Sequence, residues 1–288
     1  MTGNSGLAAS EQFATLYIVA TPLGNLSDLS PRAAELLRAV PVVAAEDTRR
    51  TRQLLHHLDA HPRLVSFHAH SDPARLEALV AELERGHDVA LVSDAGTPGV
   101  SDPGANLVRV VRDRGGKVVP IPGPSAVTTA LSASGFPADR FTFLGFLPRK
   151  GSERRERLSQ IARSDLTVVL FEAPPRLADL LRDLDAAVGP ARRVGVAREL
   201  TKLHEEFRVG TAAELADYYD GTEPKGECTV VVEGESHPVE PDADPELARG
   251  LASRLLATGV TRREAARQLA VETGLSRNEA YRLVMELP

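Results

Sequence analysis

The chain has 288 residues, of which 42% are hydrophobic and 26% charged, and its formal net charge is −6. This composition predicts a soluble globular protein of about two or three domains; it excludes a protein that is basic all over, but not local basic patches. The sequence has no apolar run near the roughly 20 residues of a membrane span, and its single cysteine, Cys228, excludes disulfide and multi-cysteine metal frameworks. We therefore expect no metal, no membrane contact and a cytoplasmic location.

The first half of the chain alternates short apolar runs with loops rich in glycine and proline, after a polar leader (1–14) that we expect to be disordered. Strands are predicted at 16–20, 40–45, 89–92 and 117–121. Helices are predicted after these strands; Ser30 and Pro31, for example, are typical of an N-cap and a first helical position. This repetition predicts an α/β domain over residues 15–140, with a largely parallel sheet and its loops at one edge.

Beyond residue 140 the pattern changes, because phenylalanines cluster and a charged stretch follows them. Further strands are predicted at 166–171, 193–197 and 227–233. Helices separate these strands, and one of them begins with the capping box Thr211-x-x-Glu214. We interpret residues 141–234 as a second α/β domain, with a ligand cleft between the two domains.

The C-terminal region is predicted to be a small helical domain over residues 245–288, joined by a polar linker at 235–244. Two capping boxes, Thr261-x-x-Glu264 and Ser276-x-x-Glu279, begin its later helices. The layout is typical of a helix-turn-helix. Such a bundle either contacts nucleic acid or serves only in packing or dimerisation.

The segment from Val89 to Gly104 carries the clearest signal of a ligand site. A buried strand is followed there by a loop in which glycines allow close approach and prolines hold the shape. Open α/β sheets bind ligands at this end of their strands. The sequence has neither GxGxxG nor GxxxxGK[ST], and proline removes the N–H donors that a phosphate needs. We therefore expect a nucleoside-like ligand held through carbonyls and shape, and a dinucleotide dehydrogenase is disfavoured.

Nine ordered sequence blocks between residues 16 and 234 resemble the tetrapyrrole methylase superfamily, and within it the ribosomal RNA small subunit methyltransferase I branch. The blocks are LYIVATPLGNLSDLSPRA, AAEDTRRTRQLL, VSFHAHS, LVSDAGTPGVSDPG, PIPGPSAVTTALSASG, FLGFLPRK, FEAPPRL, VARELTK and GECTVVVEG. The resemblance implies a non-Rossmann methyltransferase that uses S-adenosylmethionine (SAM). It also implies 2′-O-methylation of a cytidine ribose in 16S rRNA at the decoding centre, and a homodimer.

The resemblance further implies that SAM lies folded between the two α/β domains. By motif match its contacts are Thr21, Pro22, Leu23, Gly24, Asp94, Gly96, Thr97, Pro98, Gly99, Val100, Ser125, Ala126, Phe171, Ala197, Arg198, Lys225, Gly226 and Glu227. Simple turn formation is the alternative for each glycine and proline. Asp94 is expected beside the amino group, ribose or sulfonium of the ligand, and its alternative role is a helix cap.

A ribose hydroxyl becomes a good nucleophile when a positioned base takes its proton. The candidate bases are Glu199, Glu46, Asp47 and His68. Glu199 comes first, because the ARELTK block follows a predicted strand directly into the cleft. Local ion pairing is the alternative for the Glu46-Asp47 pair, and a structural role is favoured for the histidine. Lys202 or Lys225 is expected to stabilise the developing alkoxide.

RNA affinity is expected to come from basic side chains on phosphates. The candidates are Arg49, Arg50, Arg52, Lys150, Arg154, Arg155, Arg198 and Lys202. Solvated helix faces are the alternative for such charge runs. Aromatic residues make up 4% of the chain and tryptophan is absent, which argues against an extensive base-stacking platform and favours a structured, assembled RNA.

Two other functions remain open from the sequence. The first is a methyltransferase of another superfamily branch that acts on a tetrapyrrole or a protein side chain. The cations of EDTRRTR and ARELTK argue against it, since they suit an anionic polymer. The second is a SAM-responsive DNA-binding regulator that uses the C-terminal helices.

Overall fold

The computed structural model describes residues 13–68, 71–222, 226–235, 245–257, 259–273, 275 and 277–287. The chain divides into two compact units between Glu233 and Gly234. Both predicted α/β domains fall within the first unit, where each forms a lobe with its own sheet. The predicted leader and linker lie almost wholly outside the described residues.

The first lobe alternates strands and helices along the chain. Its strands are β1 (Thr15–Val19), β2 (Val42–Ala45), β3 (Arg63–Ser66), β4 (Val89–Val92) and β5 (Lys117–Ile121). Its helices are α1 (Pro31–Ala39), α2 (Thr48–His57), α3 (Pro73–Glu84), α4 (Ala105–Asp113) and α5 (Ala126–Ser134). As predicted, Ser30 caps α1 by accepting a hydrogen bond from the Ala33 backbone N–H, and a proline occupies the first turn.

The sheet of the first lobe is wholly parallel, in the order β3-β2-β4-β1-β5. The central strands β2 and β4 are buried along their whole length, because apolar clusters cover both faces of the sheet. The carboxyl ends of parallel strands meet at one edge, so the loops that follow β1, β4 and β5 lie together there. The predicted α/β class is confirmed, and this edge becomes one wall of a cleft.

The second lobe is built on a mixed sheet. Its strands are β6 (Phe141–Phe146), β7 (Thr167–Glu172), β8 (Arg193–Arg198), β9 (Glu206–Thr211) and β10 (Cys228–Val232), and its helices are α6 (Ser152–Ala162), α7 (Leu177–Val188) and α8 (Ala212–Asp220). The order is β6-β7-β10-β8-β9; β6 pairs with β7 in parallel and the other neighbours are antiparallel. The capping box at Thr211 and Glu214 is present.

Helix α5 joins the two lobes. Its buried residues Val127, Ala130 and Leu131 pack in one cluster with Val169 and Val231 of the second sheet. The amino end of α5 therefore lies fixed at the cleft, beside the loop that follows β5. Because α5 belongs to the first lobe and its apolar face to the core of the second, the two lobes form one compact unit.

The C-terminal unit consists of α9 (Pro245–Ala257), α10 (Arg262–Thr273) and α11 (Arg277–Met285). Its core is formed by small and branched apolar side chains, among them Ala252, Leu269 and Val284. Thr261 accepts a hydrogen bond from the Glu264 backbone N–H (3.2 Å), as its capping box predicts. Ser276, predicted to cap the last helix, lies outside the described residues. None of the described helices is long and apolar enough to cross a membrane.

Candidate active site between the two lobes

A cavity of about 370 Å³ lies between the lobes, where the loops after β1, β4 and β5 face the ends of β7 and β10. It is lined by Leu23, Phe146 and residues 94–97, 100–102, 125–127, 171–174 and 226–229. We call it the first cavity. Its size suits a small molecule.

Backbone and side-chain hydrogen bonds tie the three loops of the first lobe together. Thr21 and Gly96 exchange backbone hydrogen bonds of 2.8 and 3.0 Å, and the Thr97 hydroxyl donates to the Pro124 carbonyl (3.2 Å). Gly96 has a φ of +77°, and a Cβ built there would lie 3.4 Å from the side chain of Leu23. The left-handed backbone explains the glycine, since other residues are strained in that conformation.

Carboxylates dominate the charged lining of the first cavity. Asp94, Asp102, Glu172 and Glu227 all line it. Glu172 is buried and paired with Arg176, and it accepts a hydrogen bond from the Ala173 N–H (2.8 Å). Burial, and then the charges of Asp94 and Glu227, raise the pKa of Asp102, even though a hydrogen bond with Ser93 opposes the shift. This lining favours a ligand that carries positive charge.

A second cavity, of about 420 Å³, adjoins the first and shares Leu23, Asp94, Ala95 and Glu227 with it. Its other lining residues are Thr21, Pro22, Gly24, Leu26, Arg50, Thr51, Gln53, Leu54, Ser93 and Lys202. We call the shared part the junction. Apart from the shared carboxylates Asp94 and Glu227, the charged residues that line the second cavity are cations, whereas those that line the first are carboxylates.

Two cations face the carboxylates of the junction. Arg50 Nη1 lies 3.5 Å from Asp94 Oδ2 and 4.0 Å from Glu227 Oε1. Lys202 Nζ lies 2.7 Å from Glu199 Oε1 and 3.6 Å from Glu227 Oε2. Of these pairs, only Arg50–Glu227 connects the lobes, because Arg50 and Asp94 belong to the first lobe and the other three residues to the second. At the junction, two carboxylates that line both cavities, Asp94 and Glu227, thus face Arg50 and Lys202.

The predicted base Glu199 is held tightly. Its backbone is left-handed (φ +52°), its N–H donates to the Glu227 carbonyl (3.1 Å), and a Cβ at Gly226 would overlap its carboxylate. Burial opposes its ionisation, but the hydrogen bond and charge of Lys202 outweigh burial and lower its pKa. Glu199 is therefore a weak base and fixes the position of Lys202.

The adjacent candidate bases Glu46 and Asp47 have pKa values shifted in opposite directions. Asp47 caps α2 through the Arg49 backbone N–H (2.8 Å) and pairs with the Arg49 side chain, and these hydrogen bonds lower its pKa to about 2. Burial, and then the charges of Asp102 and Asp94, raise the pKa of Glu46. Of the three candidate carboxylates Glu46, Asp47 and Glu199, Glu46 alone has a raised pKa, although it lines neither cavity.

The structure distributes the predicted cofactor residues over both cavities. The first cavity is lined by Leu23, Asp94, Gly96, Thr97, Val100, Ser125, Ala126, Phe171, Gly226 and Glu227. The predicted residues Thr21, Pro22 and Gly24 line the second cavity instead. Pro98, Gly99, Ala197 and Arg198 line neither cavity, and Lys225 lies outside the described residues.

Several lining residues were not predicted from the sequence. Asp102 follows the glycine loop within the same motif, and Glu172 stands at the start of FEAPPRL, so both were within reach of the motif argument. Phe146 comes from β6 and packs against Phe171, with ring centroids 5.6 Å apart. Cys228 also lines the first cavity, but burial raises the pKa of its thiol to about 12, which makes it a poor nucleophile.

The predicted RNA-binding cations fall into three groups. Arg50 and Lys202 line the second cavity. Arg49, Arg52, Lys150 and Arg155 are exposed on the surface. Arg154 and Arg198 are engaged within the protein: the first, 12% exposed, pairs with Asp183 (2.6 Å), and the second faces Glu206 (3.7 Å).

The fold and the site define a class of two-lobed α/β enzymes. In this class a ligand cleft lies between a parallel and a mixed sheet, and hydrogen-bonded loops form its rim. Residues 15–216 match the family model described as Tetrapyrrole (Corrin/Porphyrin) Methylases. The chain therefore belongs to the tetrapyrrole methylase family, and it is a methyltransferase with S-adenosylmethionine as its methyl donor.

Its similar relatives are named Ribosomal RNA small subunit methyltransferase I. The Synechocystis sp. protein is 45% identical over 272 residues, covering 94% of this chain and 98% of the relative. The Mesorhizobium japonicum protein is 43% identical over 289 residues, covering 100% of this chain and 97% of the relative. The chain thus matches these relatives over nearly their whole length, including the C-terminal unit in the second case.

Solved structures share the fold at lower identity. Cobalt precorrin-4 methyltransferase has a TM-score of 0.61 at 18% identity, covering 79% of this chain and 98% of its own. Uroporphyrin-III C-methyltransferase from Thermus thermophilus, complexed with S-adenyl homocysteine, has a TM-score of 0.55 at 19% identity, covering 76% and 97%.

The residues of the first cavity fit the methyl donor of the family. S-adenosylmethionine carries a positive sulfonium and an ammonium group, and the cavity offers carboxylates for both. Gly96 leaves its backbone open to close approach, and Phe171 supplies an aromatic face. Asp94, Asp102 and Glu227 are the charged side chains best placed to hold it.

Proposed function

We propose that this chain methylates the 2′-oxygen of a cytidine ribose in the 16S rRNA of the small ribosomal subunit. The observation that carries the proposal is the second cavity, which adjoins the donor cavity and places Arg50 and Lys202 beside the junction. An anionic polymer suits such cations better than a neutral ligand does. The rRNA substrate is supported by the name of the relatives, and the cytidine 2′-oxygen by the resemblance of the nine sequence blocks.

The donor supplies an electrophilic methyl group, so the chain must align an acceptor oxygen with it and take the proton of that oxygen. Alignment alone contributes about 7–11 kcal/mol where the geometry is near-attack. In our proposal the acceptor hydroxyl lies at the junction, between the two cavities. Lys202 then stabilises the developing alkoxide, and Glu199 acts as a positioning residue that holds the lysine at 2.7 Å.

Glu227 is our first candidate for the proton acceptor, because it lines both cavities and its carboxylate lies 3.6 Å from Lys202 Nζ. Proton acceptance requires geometry first and a suitable pKa second. Glu46 is the second candidate, because its raised pKa suits a base. Glu199 and Asp47 have lowered pKa values and are better suited to positioning and capping.

The exposed cations Arg49, Arg52, Lys150 and Arg155 would add contacts to RNA phosphates around the cleft. Arg154 and Arg198 pair with carboxylates of the protein, so they would support RNA binding by holding the local structure rather than by contacting phosphates. A homodimer in the cytoplasm completes the proposal, on the resemblance alone.

The test is methylation by the purified protein with labelled S-adenosylmethionine. The acceptors are small ribosomal subunits from cells that lack the protein, free 16S rRNA and uroporphyrinogen. Label recovered as 2′-O-methylcytidine in the 16S rRNA of the subunits supports the proposal. Label in uroporphyrinogen or in a ribosomal protein would instead support another branch of the family.

A further inference from the structure

The turn between β8 and β9 carries an exposed leucine. Leu203 is 93% exposed, more than any other large hydrophobic side chain among the described residues. An apolar side chain this open to water contributes little to the stability of the fold, because it buries almost no surface. We therefore consider a contact between Leu203 and another molecule.

The turn that presents Leu203 is held by many local interactions. The Lys202 N–H donates to the Glu199 carbonyl (2.9 Å), and the Glu205 N–H donates to the Lys202 carbonyl (3.1 Å). Thr201 has a left-handed backbone (φ +67°), and its N–H donates to the Glu205 carboxylate. Leu203 thus stands on a fixed scaffold rather than on a loose loop.

The turn is also anchored at the mouth of the second cavity. Lys202, the residue before Leu203, lines that cavity and is held by Glu199 (2.7 Å). A Cβ at Gly24 would overlap the Lys202 side chain, so the lysine stem packs directly on the loop after β1. Leu203 therefore follows directly in the chain on a residue that lines the place proposed for the acceptor nucleotide.

Enzymes that do chemistry on a base take that base out of the stack, and an acceptor ribose that has to enter the second cavity needs the same freedom from its neighbours. Apolar side chains such as leucine are inserted between bases by proteins that unstack them. We propose that Leu203 enters the base stack of the RNA next to the target nucleotide and holds that nucleotide in the second cavity. This inference rests on the proposed function and adds how the substrate is bound: as a single nucleotide turned out of its stack.

The test compares Leu203→Ala, Leu203→Met and Val209→Ala in the full-length protein. Val209 is a partly exposed residue of β9 that lines neither cavity, so its truncation is a matched control. At saturating small subunits we expect single-turnover methylation by Leu203→Ala to be about tenfold slower, with near wild-type rates for the other two. SAM affinity and the unfolding midpoint should change little, since the side chain is in water in the free protein. Subunit affinity should also change little, because the contact that Leu203 gains in the stack is offset by the cost of unstacking.

A second acceptor makes the test specific to unstacking. In subunits whose 16S rRNA is altered at the stacking neighbours of the target, the nucleotide is already loosened, and Leu203→Ala should approach the wild-type rate. An equal defect on both kinds of subunit would overturn the proposal, as would a loss of affinity at an unchanged saturated rate.

The same reactions separate the two ideas. If the wild-type protein labels the subunits and Leu203→Ala does so equally fast, the insertion of Leu203 is refuted and the proposed function stands. If the wild-type protein leaves the subunits unlabelled, the proposed function is refuted, and the role of Leu203 with it.

Discussion

The two cavities of the cleft share four residues but differ in charge. The first is lined by Asp102 and Glu172, whereas the second is lined by Arg50 and Lys202. In the proposed function, a positively charged methyl donor and a polyanionic acceptor each meet the opposite charge, on either side of one junction. The difference in charge leads us to expect that donor binding and acceptor binding can be altered separately, although the proposed reaction takes place beside Asp94 and Glu227.

The largest effect is expected from closing the first cavity. Gly96→Trp places a large ring where the cavity lies, on a left-handed backbone (φ +77°), and should weaken SAM binding by more than about 100-fold. Calorimetric titration with SAM measures the loss. Gly86→Trp is the control, because Gly86 is also left-handed (φ +83°) but has open space around it and lines neither cavity.

If both tryptophan variants lost SAM binding equally, backbone strain rather than the cavity would be the cause. RNA binding by Gly96→Trp should persist, since the second cavity keeps its cations. Loss of both ligands in a folded variant would contradict the separation of the two cavities.

The next effect concerns the junction. Lys202→Met removes the charge but keeps the length of the side chain, and should lower kcat about 100-fold with SAM affinity little changed. Glu227→Gln should lower kcat to a similar extent, because the proton acceptor is then lost. Steady-state rates on small subunits measure both.

Lys117→Met is the matched control for the lysine, because Lys117 is exposed on β5 and lines neither cavity. A normal kcat for Lys202→Met would remove the lysine from the reaction. A normal kcat for Glu227→Gln beside a strongly lowered kcat for Glu46→Gln would transfer the role of base to Glu46.

A smaller effect should separate two neighbouring arginines. Arg50→Glu reverses a charge that lines the second cavity, and should raise the KM for small subunits about tenfold at moderate salt. Arg49→Glu makes the same chemical change on an exposed side chain already paired with Asp47, and should raise the KM less, about threefold. Subunit binding at several salt concentrations measures both, and equal effects would show that the second cavity is not the preferred contact.

The smallest effect is on stability. The pKa of Glu46 is raised in the fold, so its ionisation costs stability at neutral pH; Glu46→Gln should raise Tm by about 2 °C there, and the gain should vanish below the usual pKa of 4.5. The pKa of Asp47 is lowered to about 2, so its charge stabilises the fold at neutral pH, and that stability is lost as the pH falls from 3.8 toward 2. Asp47→Asn should therefore lower Tm slightly at neutral pH.

Thermal unfolding between pH 3 and pH 7.5 measures both variants. The critical result is that, at neutral pH, Tm rises in Glu46→Gln and falls in Asp47→Asn. Shifts of the same sign would mean that the burial of Glu46, or the ion pair of Asp47, is absent in solution.

The first lobe could be predicted well from the sequence and the second less well, for physical reasons. Buried parallel strands such as β4 are continuous apolar runs, and their loops need glycine and proline, so both are visible in one sequence. Strand β9 was not predicted, because it is an edge strand with exposed residues such as Arg208 and lacks an apolar pattern. The antiparallel pairing of β7, β8 and β10 depends on long-range contacts that local patterns do not record.

The residues of the candidate site could likewise be predicted only in part. Motif blocks predicted much of the lining of the first cavity, because those residues lie on its loops. They could not show that Thr21, Pro22 and Gly24 face the second cavity, since that depends on how the two lobes meet. Nor could they show that Lys202 holds Glu199 and lowers its pKa, because the sequence gives spacing but no side-chain direction.

The central claim, that donor and acceptor occupy separate cavities joined at Asp94 and Glu227, is tested most directly by a crystal structure with S-adenosylhomocysteine. We expect the ligand in the first cavity, in contact with Asp94, Thr97 and Ser125, with Arg50 and Lys202 still facing the second cavity. A ligand seated against Arg50 and Lys202, with the first cavity filled by side chains, would contradict the account.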